Sequence, residues 1–317
     1  MIKKMTFRKI LITSIGLFAV FLIYMMPNEQ ELLNVPYEVE YVNSDINKSE
    51  IYLLDDYNML ARTMVATDTN LENKAKELLE VLIEGGSGEN KIPNGFKSII
   101  PSDTKLKSLT FKEGLIKVDF SKELLDVSLE LEEKIIEAIV HTLTSIEEVK
   151  KVVIYVEGEV LTKLPKSKIN LPTTLDKNFG INKEYDFTNS KDINQVTIYY
   201  INKSNNDLYY VPVTKYVNDT REKAKIIIDE LAGSNSYNTN LMSYLNSNTD
   251  LLSVESKDSS LELNFNSYIF NDLDTKNILE EVMYTINLSM GHNYDIEEVI
   301  YKVDNEEIYK SVLKTIE

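Results

Sequence analysis

The 317-residue chain has no cysteine, no tryptophan and two histidines. Without cysteine there can be no disulfide framework, no thiolate metal site and no cysteine nucleophile. His141 and His292 lie far apart in sequence and leave little material for a transition-metal site, so neither a metal nor another cofactor is expected. Positive charge is also scarce: 34 basic residues stand against 51 acidic ones, for a net charge of -17. Four of the basic residues, Lys3, Lys4, Arg8 and Lys9, precede the first acidic residue, Glu29, which leaves 30 against 51 beyond that point. So acidic a chain repels phosphates and anionic head groups, and no local basic patch offsets this, which excludes nucleic acid as a partner.

A long apolar run occurs only at the N-terminus, from Ile10 to Met26. As a helix its 17 residues span roughly 25 Å, enough to cross a bilayer if the flanking basic residues snorkel. The run ends Phe21-Leu22-Ile23-Tyr24-Met25-Met26-Pro27, with no small-x-small cleavage pattern, so it reads as an uncleaved anchor. Residues 1–27 are therefore expected to be a basic cytoplasmic flank and a transmembrane helix, and 28–48 a polar stalk. The positive charge before the run places the N-terminus in the cytoplasm and the bulk of the chain outside the cell membrane.

Beyond the stalk the signals occur twice in one order: strand, strand, helix, strand, strand, helix, strand. The first set spans residues 49–164. Ile51 to Leu54 and Met59 to Ala66 read as a hairpin, and Asn70 can cap a helix that ends at Gly85-Gly86. Lys105 to Phe111 and Leu115 to Phe120 form a second hairpin. Leu131, Ile135, Ile139 and Leu143, with Ile136 and Val140, make one apolar helix face opposite glutamates and Lys134, and Val149 to Val156 is the closing strand. Residues 165–193 contain Pro165 and Pro172 and form a linker, with apolar residues enough to lie against a folded unit. The second set spans 194–317, with strands at Val196 to Ile201, Leu208 to Val213, Leu251 to Ser256, Leu261 to Phe265 and Val299 to Val303. Its helices run from about Thr220 to Ala232 and Thr275 to Leu288.

Side by side, the halves match in their apolar positions. Ser98 to Ser108 maps without a gap onto Ser243 to Ser253, and Ile116, Val118 and Phe120 map onto Leu261, Leu263 and Phe265. Ile154-Tyr155 maps onto Ile300-Tyr301, and Thr142-Leu143-Thr144 onto Asn287-Leu288-Ser289. Polar identities drift, as they do when a backbone and core persist without a shared surface chemistry.

The first unit also resembles a known family. An Ile-Tyr strand, a helix ending at Gly, Ile100-Pro101 followed by Thr104 and Leu106, the strand Ile116 to Ser121, His141-Thr142-Leu143-Thr144 and Val152 to Gly158 together resemble the GerM domain of spore formation and germination proteins. The second unit departs at Asn246, where the first has Pro101, and at Asp304-Asn305, where the first has Glu157-Gly158. The resemblance implies an α+β fold of two tandem sandwich-like units, similar to the ring-building modules of secretion assemblies. It also implies an extracytoplasmic, membrane-tethered, non-enzymatic role in endospore formers. Some family members are lipoproteins, a mode of anchoring that the absence of cysteine rules out here.

Each candidate for chemistry has a plainer structural explanation. His141 has no Ser and Asp at a recognisable triad spacing, and His292 falls at a helix end, where it can meet terminal carbonyls. The Gly85 to Gly95 loop follows a helix and lacks the Lys-Ser/Thr of a phosphate loop. Asp119, Glu157 and Glu159 could pair for glycan cleavage, but alternating polar strand positions account for them, and Asp55-Asp56 and Asp272-x-Asp274 read as turns. No catalytic, cofactor or metal residue is assigned. Tyr199, Tyr200, Tyr209 and Tyr210, on adjoining strands, are the candidate ligand or partner surface. The leading expectation is a scaffold or assembly protein of the spore envelope that works through contacts with other envelope proteins or with itself. The alternative is a peptidoglycan- or glycan-binding module.

Overall fold

The computed structural model describes residues 47–204, 207–233 and 240–313. The anchor expected at 10–26 and nearly all of the expected stalk lie outside the described residues. Among the described residues no helix is long and apolar enough to cross a membrane.

The first repeat consists of β1 (Lys48–Asp55), β2 (Leu60–Ala66), α1 (Leu71–Leu82), β3 (Phe96–Lys97), β4 (Leu106–Lys112), β5 (Leu115–Phe120), α2 (Leu129–Thr144), β6 (Lys151–Val156) and β7 (Glu159–Val160). A short β8 (Glu184–Asp186) lies in the linker. The second repeat consists of β9 (Asn194–Ser204), β10 (Asp207–Val217), α3 (Lys223–Gly233), β11 (Leu251–Lys257), β12 (Ser260–Phe265), α4 (Glu280–Asn293), β13 (Glu298–Val303) and β14 (Glu306–Val312). Strands β7 and β14 extend the expected order. Both follow two-residue turns with positive φ, Glu157-Gly158 (56° and 83°) and Asp304-Asn305 (52° and 67°), the geometry that suits a tight hairpin.

Local sequence explains the helices. Asn70 caps α1 by accepting from the Asn73 amide (3.2 Å), and Ala75, Leu78, Leu79 and Leu82 enter the core. Helix α2 buries Ile135, Ile136, Ile139, Val140 and Leu143, but also Glu132 and Glu137, which the sequence pattern places on its outer face. The linker covers that face, and the carboxylates hold its backbone. Glu132 accepts from the amides of Lys166 and Ser167 (2.7 and 2.6 Å), and Glu137 from that of Asn182 (2.9 Å).

Each repeat has its own four-stranded sheet, ordered β4-β5-β6-β7 and β11-β12-β13-β14. In each, the two middle strands are parallel and joined through a helix. A register shift falls between Leu106 and Ser108 and, at the matching place, between Leu251 and Ser253. Pairing places Val118 opposite Ile154 and Leu263 opposite Tyr301. Ile154 therefore corresponds to Tyr301, one residue from the match suggested by the Ile-Tyr dipeptides. A one-residue slip would turn every side chain to the wrong face, and the more deeply buried residue of each dipeptide is Ile154 (2%) and Tyr301 (0%).

The third sheet is shared. Instead of remaining in separate units, the leading hairpins of the two repeats join in the order β3-β1-β2-β10, with β9 along one edge of β10. On the other edge, β2 meets β10 at Arg62 and Tyr210, and β8 runs parallel to it from Lys215 to Val217.

Candidate functional site at the joint between the repeats

Tyr52 of β1 and Tyr199 of β9 are equivalent residues, and their hydroxyls meet at 2.8 Å. Behind each, a helix hydroxyl accepts the tyrosine's backbone N–H: Thr142 Oγ1 for Tyr52 (3.1 Å) and Ser289 Oγ for Tyr199 (2.9 Å). Thr142 therefore corresponds to Ser289, two residues from the helix match suggested by the sequence. The Tyr52 hydroxyl donates to Glu50 Oε1 (2.6 Å), and Glu50 forms an ion pair with Arg62 (2.9 Å). Burial, reinforced by the charge of Glu50, raises both phenols above their ordinary range, so they remain protonated donors.

The two histidines, 151 residues apart in sequence, stack across this joint with ring centroids 5.5 Å apart. His141 Nε2 is 3.0 Å from the Gly180 carbonyl, and the ring meets that of Tyr52 edge-on. His292 Nδ1 is 3.4 Å from the Tyr199 hydroxyl. Burial lowers His141 to about 4, and burial together with the neighbouring His141 holds His292 well below the ordinary value. Both imidazoles are neutral at pH 7.

Linker residue Asn182 completes the joint. Its Nδ2 donates to the carbonyls of Leu60 (2.8 Å) and Pro212 (2.7 Å), and its Oδ1 accepts from the Leu60 amide (3.0 Å). Pro212 has no N–H to offer β2, and the asparagine side chain supplies the missing donor between the strands. Asn182 takes φ 46°, a left-handed conformation that asparagine tolerates better than most residues. The adjacent Lys183, its side chain 7% exposed, forms ion pairs with Glu133 (2.6 Å) and Glu137 (3.5 Å). Burial nevertheless raises Glu137 to about 7.

The four tyrosines singled out in the sequence do lie close to this joint, but largely in the interior. Tyr199, Tyr200 and Tyr209 are 3%, 4% and 7% exposed, and Tyr210 is half-buried and stacked on Tyr284. Tyr209 donates to Asp55 Oδ2 (3.0 Å), which bonds the two hairpins together. Both faces of this strand pair are covered: Tyr199 and Tyr209 meet Tyr52, Asp55 and Phe96 of the first repeat, and Tyr210 meets Tyr284 of α4. A pair of exposed rings lies at β8: Tyr185, 64% exposed, stacks on Tyr216, and Phe187 meets Tyr185 edge-on.

Two of the three carboxylates considered for glycan cleavage, Asp119 and Glu157, hold backbone. Asp119 Oδ1 accepts from the Gly158 amide (3.0 Å), and the equivalent Asn264 Oδ1 accepts from Asn305 (3.0 Å). Glu157 bonds the Lys122 amide (2.9 Å) and pairs with Lys107. Asp55 Oδ1 accepts from the amides of Tyr57 and Met59, and Asp272 Oδ1 from that of Asp274. Among the described residues no group of three or more His, Asp or Glu is arranged to hold a metal. Sequence reasoning missed Asn182, Glu137 and Lys183; the apolar content of the linker was the one signal that pointed to its docking.

A duplicated α+β fold joined through a shared sheet, with its polar residues committed to backbone and joint, defines a tandem-repeat protein. The chain belongs to the Germane family, described as sporulation and spore germination, whose profile matches residues 50–162 and 197–309. It is 32% identical over 263 residues to the spore germination protein GerM of Bacillus subtilis (strain 168), covering 81% of this chain and 71% of that protein. It is also similar to the solved tandem GerMN domains of the sporulation protein GerM from Bacillus subtilis. That likeness has a TM-score of 0.75 at 29% identity and covers 82% of this chain and 92% of that one.

Proposed function

We propose that the chain serves sporulation and spore germination as a non-enzymatic scaffold of the cell envelope, tethered by residues 10–26 with its repeats outside the membrane. Family membership supports the biological setting. The observation that carries the mechanism is the matched use of polar residues: Asp119 and Asn264, like Thr142 and Ser289, hold backbone amides in both repeats. Such a molecule offers surfaces, and the outer strands β4, β11 and β14 are sheet edges with unpaired backbone groups. A photo-crosslinking residue placed at Thr110, Leu252 or Val312 of the full chain in sporulating cells should give discrete adducts with a second copy or an envelope protein. The same residue at Leu129, exposed on a helix, should give none. Absence of edge adducts, or the same adducts from Leu129, sinks the scaffold reading.

A second reading is binding to peptidoglycan or another glycan, favoured by the exposed rings of Tyr185 and Phe187 beside Tyr216. Sedimentation of the full chain with purified cell wall, lost in Tyr185→Ala, supports this reading; sedimentation that ignores the change removes it.

A further inference from the structure

We propose that the stacked His141–His292 pair makes the joint an acid-sensitive hinge, closed while both imidazoles are neutral and opened when either takes a proton. The geometry carries the argument. The two rings face each other across the boundary between the repeats with no carboxylate between them. An added proton would sit beside the other ring and among Lys177, Lys183 and Lys223, whose charges already disfavour the cationic form. The Gly180 carbonyl, Glu50 and Asp176 act in the opposite sense at His141, as the Lys177 carbonyl does at His292, but Glu50 is engaged by Arg62 and the Tyr52 hydroxyl. The remaining facing groups, Tyr52 and Tyr199, stay protonated throughout the acid range.

The joint is also the seam between two hydrophobic clusters. The larger part of each hydrophobic cluster belongs to one repeat, while Ala61, Met59 and Phe96 of the first repeat pack into that of the second. Between them the shared sheet has one direct β2–β10 residue pair, the Asn182 bridge and the tyrosine and Asp55 hydrogen bonds. Polar seams of this kind open at lower free energy than the cores they join.

His141 at about 4 in the closed joint, against an ordinary 6.5 once opened, favours opening as pH falls through 6.5. At pH 5 this histidine alone raises the opening constant about 30-fold over its value at pH 8. Glu137, one turn earlier on α2, works in the reverse direction if it is uncovered. The comparison must therefore keep Glu137 and change only the imidazole.

Hydrogen exchange of the full chain in neutral detergent, read on peptides spanning Leu60, reports opening through the amide bonded to Asn182. The ratio of protection, corrected for intrinsic exchange, at pH 8 to that at pH 5 should be at least tenfold larger in the native chain than in His141→Phe, which keeps a stacking ring without the titration. Glu137 is present in both chains, so its opposing effect cancels in the comparison. An equal change of protection in the two chains overturns the hinge. A readout on the native chain stands apart from the variant's folding: the sequence has only two histidines, so its two imidazole Cε1–H resonances are unambiguous. Both midpoints below about pH 5 support the proposal, and either one near 6.5 refutes it.

Discussion

Replacing Asn182 with alanine tests whether one linker side chain fastens the shared sheet. The substitution removes three hydrogen bonds to buried backbone, to the Leu60 amide and to the carbonyls of Leu60 and Pro212. Each group left without a partner costs about 1–3 kcal/mol, and water entering the gap recovers part of that. Alanine must also adopt the φ of 46°, for about 1 kcal/mol more. Asn182→Ala should therefore destabilise the chain by about 3–5 kcal/mol. With a urea slope of roughly 3 kcal/mol/M, at the upper end for small proteins, the midpoint moves down by about 1–2 M. Asn182→Gly loses the same bonds but accepts the backbone, and should be about 1 kcal/mol less damaging than alanine. Urea unfolding followed by circular dichroism measures both. A midpoint shift under about 0.3 M for alanine, or a glycine variant less stable than the alanine variant, refutes the account.

Thr142→Val and Ser289→Ala each strand one buried strand amide and should each cost about 1–3 kcal/mol in thermal or urea unfolding; a loss in one repeat only breaks the equivalence drawn between them. Phe120→Ala and Phe265→Ala empty matched positions in the two cores and should cost about 3–5 kcal/mol each by urea unfolding, with the proximal repeat's near-ultraviolet signal most affected. For Glu137, burial raises the folded value to about 7 from an ordinary 4.5, so its contribution is greatest below 4.5 and is lost as pH rises through 7. Glu137→Gln should thus gain about 1–3 kcal/mol on the native chain between pH 5 and pH 8, and parallel stability curves for the two would disprove this.

The repeat was legible because apolar residues alternate with period two on strands and recur every three to four residues on helices. Ile116, Val118 and Phe120, and their partners Leu261, Leu263 and Phe265, are all fully buried. The exact matching of the last strand was less legible, since the Ile-Tyr dipeptide repeats in sequence while the pleat requires Ile154 and Tyr301 to share a position. The joint was the least legible part. Tyr199 and Tyr209 obey strand alternation whether the outer face meets solvent or another repeat, and nothing local distinguishes the two. Glu132 and Glu137 read as solvated for the same reason: the residues that cover them lie more than 30 positions away.

The shared sheet also sets a timetable for folding. Tyr52 waits for Tyr199, 147 residues later, and until then the free side of β2 has no strand beside it. At about 5–20 residues per second of synthesis, the exposed edge persists for roughly 7–30 s. Over that interval the first repeat presents an open β edge of the sort that recruits stray strands, with Arg62 and Glu50 as the charged residues that guard it. Completion of the second hairpin ends both the wait and the hazard, so the C-terminal repeat acts on the N-terminal one as a built-in chaperone.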